Sequence, residues 1–458
     1  MAMRVTVVGS GYLGTTHAAG MAEAGWEVLG VDIDETKIAA LARGELPFYE
    51  PGLGELVRKH VATGRLRFTT SFEECGSFGD VHFLCVGTPQ RPGELRADLG
   101  QLQFAVDSLA PHLRRQCVVV GKSTVPVGTA AQLAAKLATT APADGDVELA
   151  WNPEFLREGH AVEDTLHPDR IVIGVQSESE IAEKVLRELY VIQLRAGVPL
   201  VVTDLPTAEL VKVAANAFLA TKISFINMMA DLCEVTGGDV TALADALGRD
   251  DRIGQRFLHA GLGFGGGCLP KDIRALAARA EELGVTHAAN LLRAVDHINV
   301  GRRTRMVELA LEACGGSVLG KRVGVLGTAF KPRSDDVRDS PALNVAAQLQ
   351  LIGAHVRVYD PVAQATAQVQ YPTLEYAPSA VEAAADADLL LHLTEWQEFL
   401  DLDPCVLDGV VARKYVLDGR NALDAERWRL AGWNYRALGR PVTWPDHGST
   451  STRSRVRD

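Results

Sequence analysis

The chain has 458 residues, 47% hydrophobic and 23% charged, a globular balance that excludes wholesale disorder or a fibrous repeat and leaves room for two or three cores. Its 58 acidic and 46 basic side chains give a formal net charge of −12, which argues against nucleic acid or an anionic membrane as the main partner. The seven cysteines (Cys75, Cys85, Cys117, Cys233, Cys268, Cys314, Cys405) are scattered without a C-x-x-C pair, so neither a disulfide framework nor a metal site is expected, and a reducing cytoplasm fits.

Residues 3–8 form a short β-branched run, followed by G-S-G-Y-L-G at 9–14, an Ala-rich stretch of helical spacing to about Ala24, and an apolar run from Trp26 that stops at Asp32. That order predicts strand, glycine turn, helix, strand. Gly9, Gly11 and Gly14 with Ser10, Thr15, Thr16 and His17 also break the apolar region that a secretory signal would need, so no targeting segment is expected. No stretch elsewhere supplies the ~20 apolar residues of a membrane span. Runs at 81–86, 117–121 and 171–175 alternate with helix-like segments, as in a parallel sheet covered on both faces. N-P-E-F-L-R-E-G at 152–159 reads as a helix start, with Asn152 as cap, Pro153 in the first position and Glu154 and Glu158 one turn apart.

From about Pro206 the pattern is helical as far as Cys314, interrupted by glycines at 261–267. The β-pattern returns in R-V-G-V-L-G from Arg322, H-V-R-V-Y-D-P at 355–361 and D-L-L-L-H-L at 388–393, echoing the first half. The segment 441–458, rich in Pro, Ser, Thr and charge with no apolar period, is expected to be disordered. The fold class predicted is α/β: two doubly wound Rossmann-like domains, 1–203 and 317–440, joined by a central helical region, 204–316.

Gly9, Gly11 and Gly14 form a G-x-G-x-x-G turn between a strand and a helix, and Asp32 follows Gly9 by 23 positions. Such a turn brings backbone N–H groups to a pyrophosphate, and an acid near that spacing accepts from ribose hydroxyls, favouring NAD over NADP. Lys37 lies close enough to bear on that choice, its plainer reading being a solvated helix face. No tyrosine has Lys four residues on, which removes the short-chain dehydrogenase class. In G-L-G-F-G-G-G-C-L-P-K-D at 261–272 a glycine-dense loop delivers Cys268. Glycines at that density let a ligand approach the backbone, so Cys268 reads as a nucleophile, whereas Cys85 and Cys117 inside apolar runs read as inert core residues. Lys212 and Asn216, four apart on one helical face, can donate to one oxyanion. Glu154 and Glu158 have a competing reading as complements to a helix dipole.

Together with S-T-V-P-V-G-T at 123–129, D-R-I-G-Q-R-F-L at 251–258 and F-K-P-R-S-D-D-V-R-D-S-P at 330–341, these motifs resemble the UDP-glucose/GDP-mannose dehydrogenase family in order from about residue 3 to 424. The resemblance is greatest to its UDP-glucose branch. It implies a four-electron oxidation of a sugar C6 alcohol to a carboxylate with two NAD+ in succession. Cys268 would form a thiohemiacetal and then a thioester. Lys212 and Asn216 would stabilise oxyanions, Asp272 and Thr124 would hold water, and Glu154 would assist hydrolysis. For the cofactor the resemblance implies Gly9, Gly11, Tyr12, Leu13, Gly14, Asp32, Lys37, Thr88, Thr124, Glu158 and Arg338. For the nucleoside-diphosphate sugar it implies Glu154, Phe155, Leu156, Lys212, Asn216, His259, Phe264, Gly265, Lys331 and Arg420. Arg252 would reach the site of a second subunit in a homodimer or higher homo-oligomer.

Gly267 stands where many members have Ser, which predicts a looser loop, and Leu269 is shared with the GDP-mannose and N-acetylmannosamine branches. UDP-glucose is the expected substrate, dTDP-glucose ranks second, and the shared Leu269 keeps GDP-mannose and UDP-N-acetylmannosamine as alternatives. A two-electron hydroxyacid or 6-phosphogluconate-type dehydrogenase would have no use for Cys268, and a silent sensor would have no need of the acid/base set.

Overall fold

The structure, a computed structural model, describes residues 3–142, 146–177, 179 and 181–441. The chain divides into two compact units: one runs to Ala220 and takes in Cys268–Ala294, the other comprises Thr221–Gly267 and the residues from Val295 onward. Residues 442–458 of the expected disordered tail lie outside the described residues.

The first unit is built on eight strands: β1 (Arg4–Val8), β2 (Glu27–Val31), β3 (Leu66–Thr69), β4 (Val81–Leu84), β5 (Cys117–Gly121), β6 (Val147–Trp151), β7 (Ile171–Val175) and β8 (Leu200–Asp204). They lie in the order β3-β2-β1-β4-β5-β6-β7-β8. Pairing is parallel except between β6 and β7, which meet antiparallel at Trp151 and Gly174. The first six strands follow the doubly wound dinucleotide order, with its switch point between β1 and β4.

The β-branched run of β1 suits a strand buried on both faces. Val5 and Val7 pack with Ala18, Ala19, Met21 and Ala22 on one side, while Val8 joins Leu29, Val31, Leu84 and Val119 on the other. Each Val or Leu so buried contributes about 1.5–3 kcal/mol. The helix Tyr12–Glu23 has every residue from Gly14 to Ala22 buried, which is why its sequence is Ala-rich rather than amphipathic.

The second unit carries a six-stranded, all-parallel sheet: β9 (Arg322–Leu326), β10 (His355–Tyr359), β11 (Glu375–Tyr376), β12 (Leu389–His392), β13 (Tyr415–Asp418) and β14 (Asn434–Ala437). Its order, β11-β10-β9-β12-β13-β14, repeats that of the first six strands, so the echo in sequence is an echo in topology. Between the sheets in sequence run the helices Leu205–Thr236, Val240–Gly248, Leu269–Glu282 and Thr286–Ala313.

Three features differ from the sequence reading. Strands β3, β6, β8, β11, β13 and β14 were not foreseen. No helix starts at Asn152: residues 152–160 are loop and the helix begins at Ala161. The Asn152 side chain accepts from Lys122 Nζ at 2.9 Å and from the Tyr190 hydroxyl at 2.5 Å, and donates to the Val172 carbonyl at 2.8 Å, so it ties the sheet instead of capping. Finally, the helix Leu205–Thr236 is long and apolar enough to cross a membrane by length and composition, which the sequence reading did not credit. Its buried Lys212, Asn216, Ser224 and Asn227 all have polar partners, an arrangement suited to a protein core.

Candidate active site

The turn after β1 divides its labour among three glycines. Gly9 has φ +97°, and a Cβ there would press the backbone of Cys85 and Val86 at 2.9 Å. A Cβ on Gly14 would fall 1.7 Å from the Gly9 carbonyl oxygen, so only glycine lets the helix Tyr12–Glu23 start this close. At Gly11 a Cβ would meet nothing within 4 Å; this is the open side. No side chain caps that helix at Gly11, leaving its first amides available to an anion. Just beyond β2, the Asp32 carboxylate accepts from Ser10 N at 2.8 Å, Asp34 N at 3.1 Å and Lys37 Nζ at 2.9 Å. Lys37 is thus engaged with Asp32. An open glycine turn, uncapped amides and an acid beside them fit a dinucleotide's pyrophosphate and ribose.

The corresponding acid of the second sheet, Asp360, is different. It is buried and accepts five hydrogen bonds, from Thr328 N, Ala329 N, Val362 N, Ala363 N and Trp396 Nε1. A ribose would find no lone pair facing it, so the second turn is a structural copy of the first without its opening.

Still within the first unit, the helices Leu205–Thr236 and Leu269–Glu282 and the loop 152–160 bring a charged cluster together. Lys212 Nζ lies 3.0 Å from Glu154 Oε1, with both side chains nearly buried. Asn216 Nδ2 donates to Asp272 Oδ2 at 2.7 Å, and Lys271 Nζ donates to Asp272 Oδ1 at 2.6 Å. Asp272 lines a crevice with Thr88, Thr124, Val213 and Lys271. The Thr88 hydroxyl donates to the Thr124 carbonyl at 2.7 Å. Glu154 also accepts from Leu156 N at 2.6 Å. The Phe155 ring stacks under Arg170 at 3.9 Å and has Lys212 Nζ 5.7 Å from its centre. Leu156 and Glu158 are half-buried on the same loop, and Leu13 follows Tyr12 at the helix start.

Cys268 is the N-cap of the helix Leu269–Glu282, and its carbonyl accepts from Asp272 N at 3.0 Å. The helix dipole there favours a thiolate. Dense surrounding protein works the other way: desolvation, then the carboxylates of Glu154, Glu158 and Asp272, push the thiol up to about 12 against the pull of Lys212. The residue is nevertheless exposed, so solvent at the sulfur softens the desolvation and the three carboxylates weigh more heavily than dryness alone would suggest. Burial would lower Lys212, but Glu154, Cys268 and Asp272 outweigh it and raise its pKa. Lys212 therefore stays an ammonium, acting on Cys268 in the expected direction but overmatched.

The second unit holds the glycine loop and the remaining candidates. Each glycine of that loop has its Cβ direction filled by protein: Gly261 by the Gly419 carbonyl, Gly263 by Asn299, Gly265 by the Asp339 carbonyl, Gly266 by Phe330 and Gly267 by the Arg338 guanidinium. Glycine is therefore required for packing at 261, 263, 265 and 266, which corrects the reading that its density there reflects ligand approach, whereas at Gly267 the neighbour is the end of a flexible side chain that can move aside. Asn227 Oδ1 accepts from Gly261 N, Asn299 exchanges two hydrogen bonds with Phe264, and Leu262 N donates to the Gly419 carbonyl. Arg420 donates to the carbonyls of Leu393, Gly263 and Phe330, leaving two of its five N–H groups for other acceptors. His259 is exposed and lines a groove with Arg420, Thr241 and Arg256.

Lys331 Nζ stands 5.3 Å from the Phe330 ring centre. Arg338 is exposed and chelates Asp336. Arg252 is exposed and folded onto Asp250 at 2.6 Å. Sequence reasoning missed Lys122, Asn227, Asn299 and Lys271. Asn227 carried a signal, being a lone amide in an apolar helical stretch and fully buried, whereas Asn299, equally buried, stands among charged residues that gave no hint of it. Among the described residues no group of three or more His, Cys, Asp or Glu is arranged to hold a metal.

Comparison with known proteins adds a second line. Residues 3–193, 206–300 and 324–425 match, in turn, the NAD binding domain, central domain and UDP binding domain of the UDP-glucose/GDP-mannose dehydrogenase family. The chain is 43% identical to the UDP-glucose 6-dehydrogenase of Rhizobium meliloti (strain 1021), over 96% of this chain and 100% of that one. It is 40% identical to the UDP-glucose 6-dehydrogenase YwqF of Bacillus subtilis (strain 168), over 97% and 99%. Among solved structures it resembles a UDP-glucose dehydrogenase from Pyrobaculum islandicum with a TM-score of 0.87 and 36% identity, covering 97% of this chain and 98% of that one. It also resembles a UDP-D-ManNAc dehydrogenase from Pyrococcus horikoshii with a TM-score of 0.84 and 27% identity, covering 96% and 100%.

Proposed function

The chain belongs to the UDP-glucose/GDP-mannose dehydrogenase family, whose members are NAD-dependent oxidoreductases, and from that premise we propose that it oxidises C6 of UDP-glucose to the carboxylate of UDP-glucuronate. The observation that carries this reading is Cys268 at a helix N-terminus, in the same unit as the Lys212–Glu154 and Asn216–Asp272 pairs and the open glycine turn.

NAD+, which the Gly9–Gly14 turn and Asp32 would hold, would supply the hydride acceptor that each of the two oxidation stages needs. The Cys268 thiolate adds to the C6 aldehyde, forming a C–S bond as the carbonyl electron pair moves onto oxygen, and Lys212 and Asn216 stabilise that oxyanion. In the second half, water held by Asp272 and Thr124 adds to the thioester carbonyl while Glu154 assists proton removal, and the sulfur departs as thiolate. The sum is one alcohol and one water converted to one carboxylate with four electrons removed. Covalent capture keeps the aldehyde from escaping.

Gly9, Gly11, Tyr12, Leu13, Gly14, Asp32, Lys37, Thr88, Thr124, Glu158 and Arg338 are assigned to the cofactor. Phe155, Leu156, His259, Phe264, Gly265, Lys331 and Arg420 are assigned to the nucleotide sugar. In this reading 1–203 is the NAD domain, 204–316 the dimerisation region and 317–440 the nucleotide-sugar domain. The enzyme works in the cytoplasm as a homodimer. Support for the dimer is an exposed apolar stripe on the helix Leu205–Thr236, formed by Leu210, Phe218, Phe225, Met228, Leu232 and Val235; in this reading Arg252 would leave Asp250 to reach the other copy.

The test is NADH released per sugar consumed, with UDP-glucose, dTDP-glucose, GDP-mannose and UDP-N-acetylmannosamine run side by side. Two NADH per UDP-glucose, and slower turnover of the others, is the expected result. One NADH per sugar would replace this reading with a two-electron dehydrogenase, and preference for another sugar would move the substrate.

A further inference from the structure

Glu50 is a buried carboxylate that the reaction above does not use. It sits in the loop between the helices Glu35–Ala42 and Leu53–Ala62 and is 4% exposed. Its Oε1 accepts the Ala161 amide N–H at 2.7 Å, and its Oε2 accepts the Gly159 amide N–H at 2.7 Å as well as the Tyr12 hydroxyl. The Gly159 amide also reaches the Tyr12 oxygen at 3.2 Å. From the side, the Tyr12 ring lies 5.2 Å from that of Phe48.

These contacts join two segments distant in sequence. Tyr12 opens the helix behind the glycine turn, and Gly159 closes the loop that carries Glu154 and Glu158. That loop is staked at its other end by Asn152, through Lys122, Tyr190 and the Val172 carbonyl. The Glu50 stake is the one that touches the glycine turn. A buried carboxylate holding three donors is costly to lose, because each donor left behind is desolvated without a partner. The arrangement therefore fixes the spacing of the turn and the loop together.

We propose that Glu50 is a positioning residue that locks the glycine turn and the Glu154 loop in one register, acting on the cofactor through Tyr12. The proposal rests on the assignment of Gly9–Gly14 to NAD. Its test is the Kd for NAD+ measured by calorimetry without sugar, on wild type, Glu50→Gln, Tyr12→Phe and the double variant, with Tm recorded for each. Glutamine keeps the size of the side chain but turns an N–H2 toward one of the three donors. Glu50→Gln and Tyr12→Phe are each expected to weaken NAD+ at least fivefold, and the double variant no more than the worse single one, as one shared link requires.

A change smaller than fivefold, or an additive double variant, would overturn the proposal. If Glu50→Gln fails to fold, Glu50→Asp, which keeps the charge but shortens its reach to the Gly159 and Ala161 amides and the Tyr12 hydroxyl, decides by the same fivefold criterion. A wild type that binds NAD+ but does not oxidise UDP-glucose would refute the substrate and leave this link standing.

Discussion

Exchange of the Cys268 thiol with a small aromatic disulfide should be slow in the ligand-free protein. Desolvation and the carboxylates of Glu154, Glu158 and Asp272 push this thiol up to about 12. An ordinary cysteine of pKa ~8.5 is roughly a quarter ionised at about pH 8, whereas a thiol at 12 is ionised to only about one part in ten thousand. The more basic thiolate recovers roughly 25- to 55-fold in intrinsic nucleophilicity, for a Brønsted slope of ~0.4–0.5. The net expectation is exchange slower than glutathione by up to about 40- to 100-fold, the limit for a fully desolvated sulfur, with a rate that goes on climbing above about pH 8.5 where an ordinary thiol levels off. Glu154→Gln removes one of the raising carboxylates and releases Lys212 from its 3.0 Å pair, so both effects lower the thiol pKa. Each unit of lowering speeds exchange roughly threefold after the nucleophilicity offset. Peptide-resolved mass spectrometry separates position 268 from the exposed Cys405. A wild-type rate equal to that of glutathione with a plateau near pH 8.5, or a slower Glu154→Gln, would refute the electrostatic reasoning.

Three further outcomes are expected. Gly11→Ala should alter stability by less than ~1 kcal/mol, since its Cβ meets nothing within 4 Å, yet weaken NAD+ in calorimetry; Gly14→Ala, whose Cβ would fall 1.7 Å from the Gly9 carbonyl, should cost more than about 2 kcal/mol in urea unfolding. Asn299→Ala leaves the Phe264 amide and carbonyl without their partner and should cost about 2–4 kcal/mol in the same assay. Burial raises the thiols of Cys75 and Cys85 to about 12 and that of Cys117 to about 11. These groups favour the fold fully below the unfolded pKa of ~8.5 and lose that contribution as pH climbs toward 11–12, by up to ~1.4 kcal/mol per thiol per pH unit. Lys122, lowered to about 8 by burial, runs the other way and offsets one of the three. The urea midpoint under reducing conditions should therefore fall between about pH 8.5 and 10, and a flat profile would contradict these burial assignments.

The sequence made the buried strands legible where they were β-branched and uninterrupted, as in β1, β5 and β7. It hid β3, β13 and β14, whose four-residue runs L-R-F-T, Y-V-L-D and N-Y-R-A mix polar and apolar residues and owe their state to neighbours already in the sheet. The helix expected at Asn152 followed good capping chemistry, but the same amide met better partners in Lys122 and Tyr190, and tertiary contacts outbid the local preference. Cys268, Lys212, Asn216 and Asp272 were legible as chemistry-bearing types. That the neighbouring glycines serve Asn299, Phe330 and the Asp339 carbonyl was not, because those partners lie dozens of positions away. Nor could sequence separate Asp32 from Asp360, since both end a second strand and only the fold shows which carboxylate is already saturated.

The sealed state of Asp360 has a bearing on timing. With Asp32 open and Asp360 already saturated, the second turn offers no acceptor for a ribose, so under the proposed reaction two coenzymes would have to serve in succession at the first. In that proposal something other than the coenzyme would keep hold of the half-finished sugar during the changeover, and a sulfur at the head of a helix is suited to that wait.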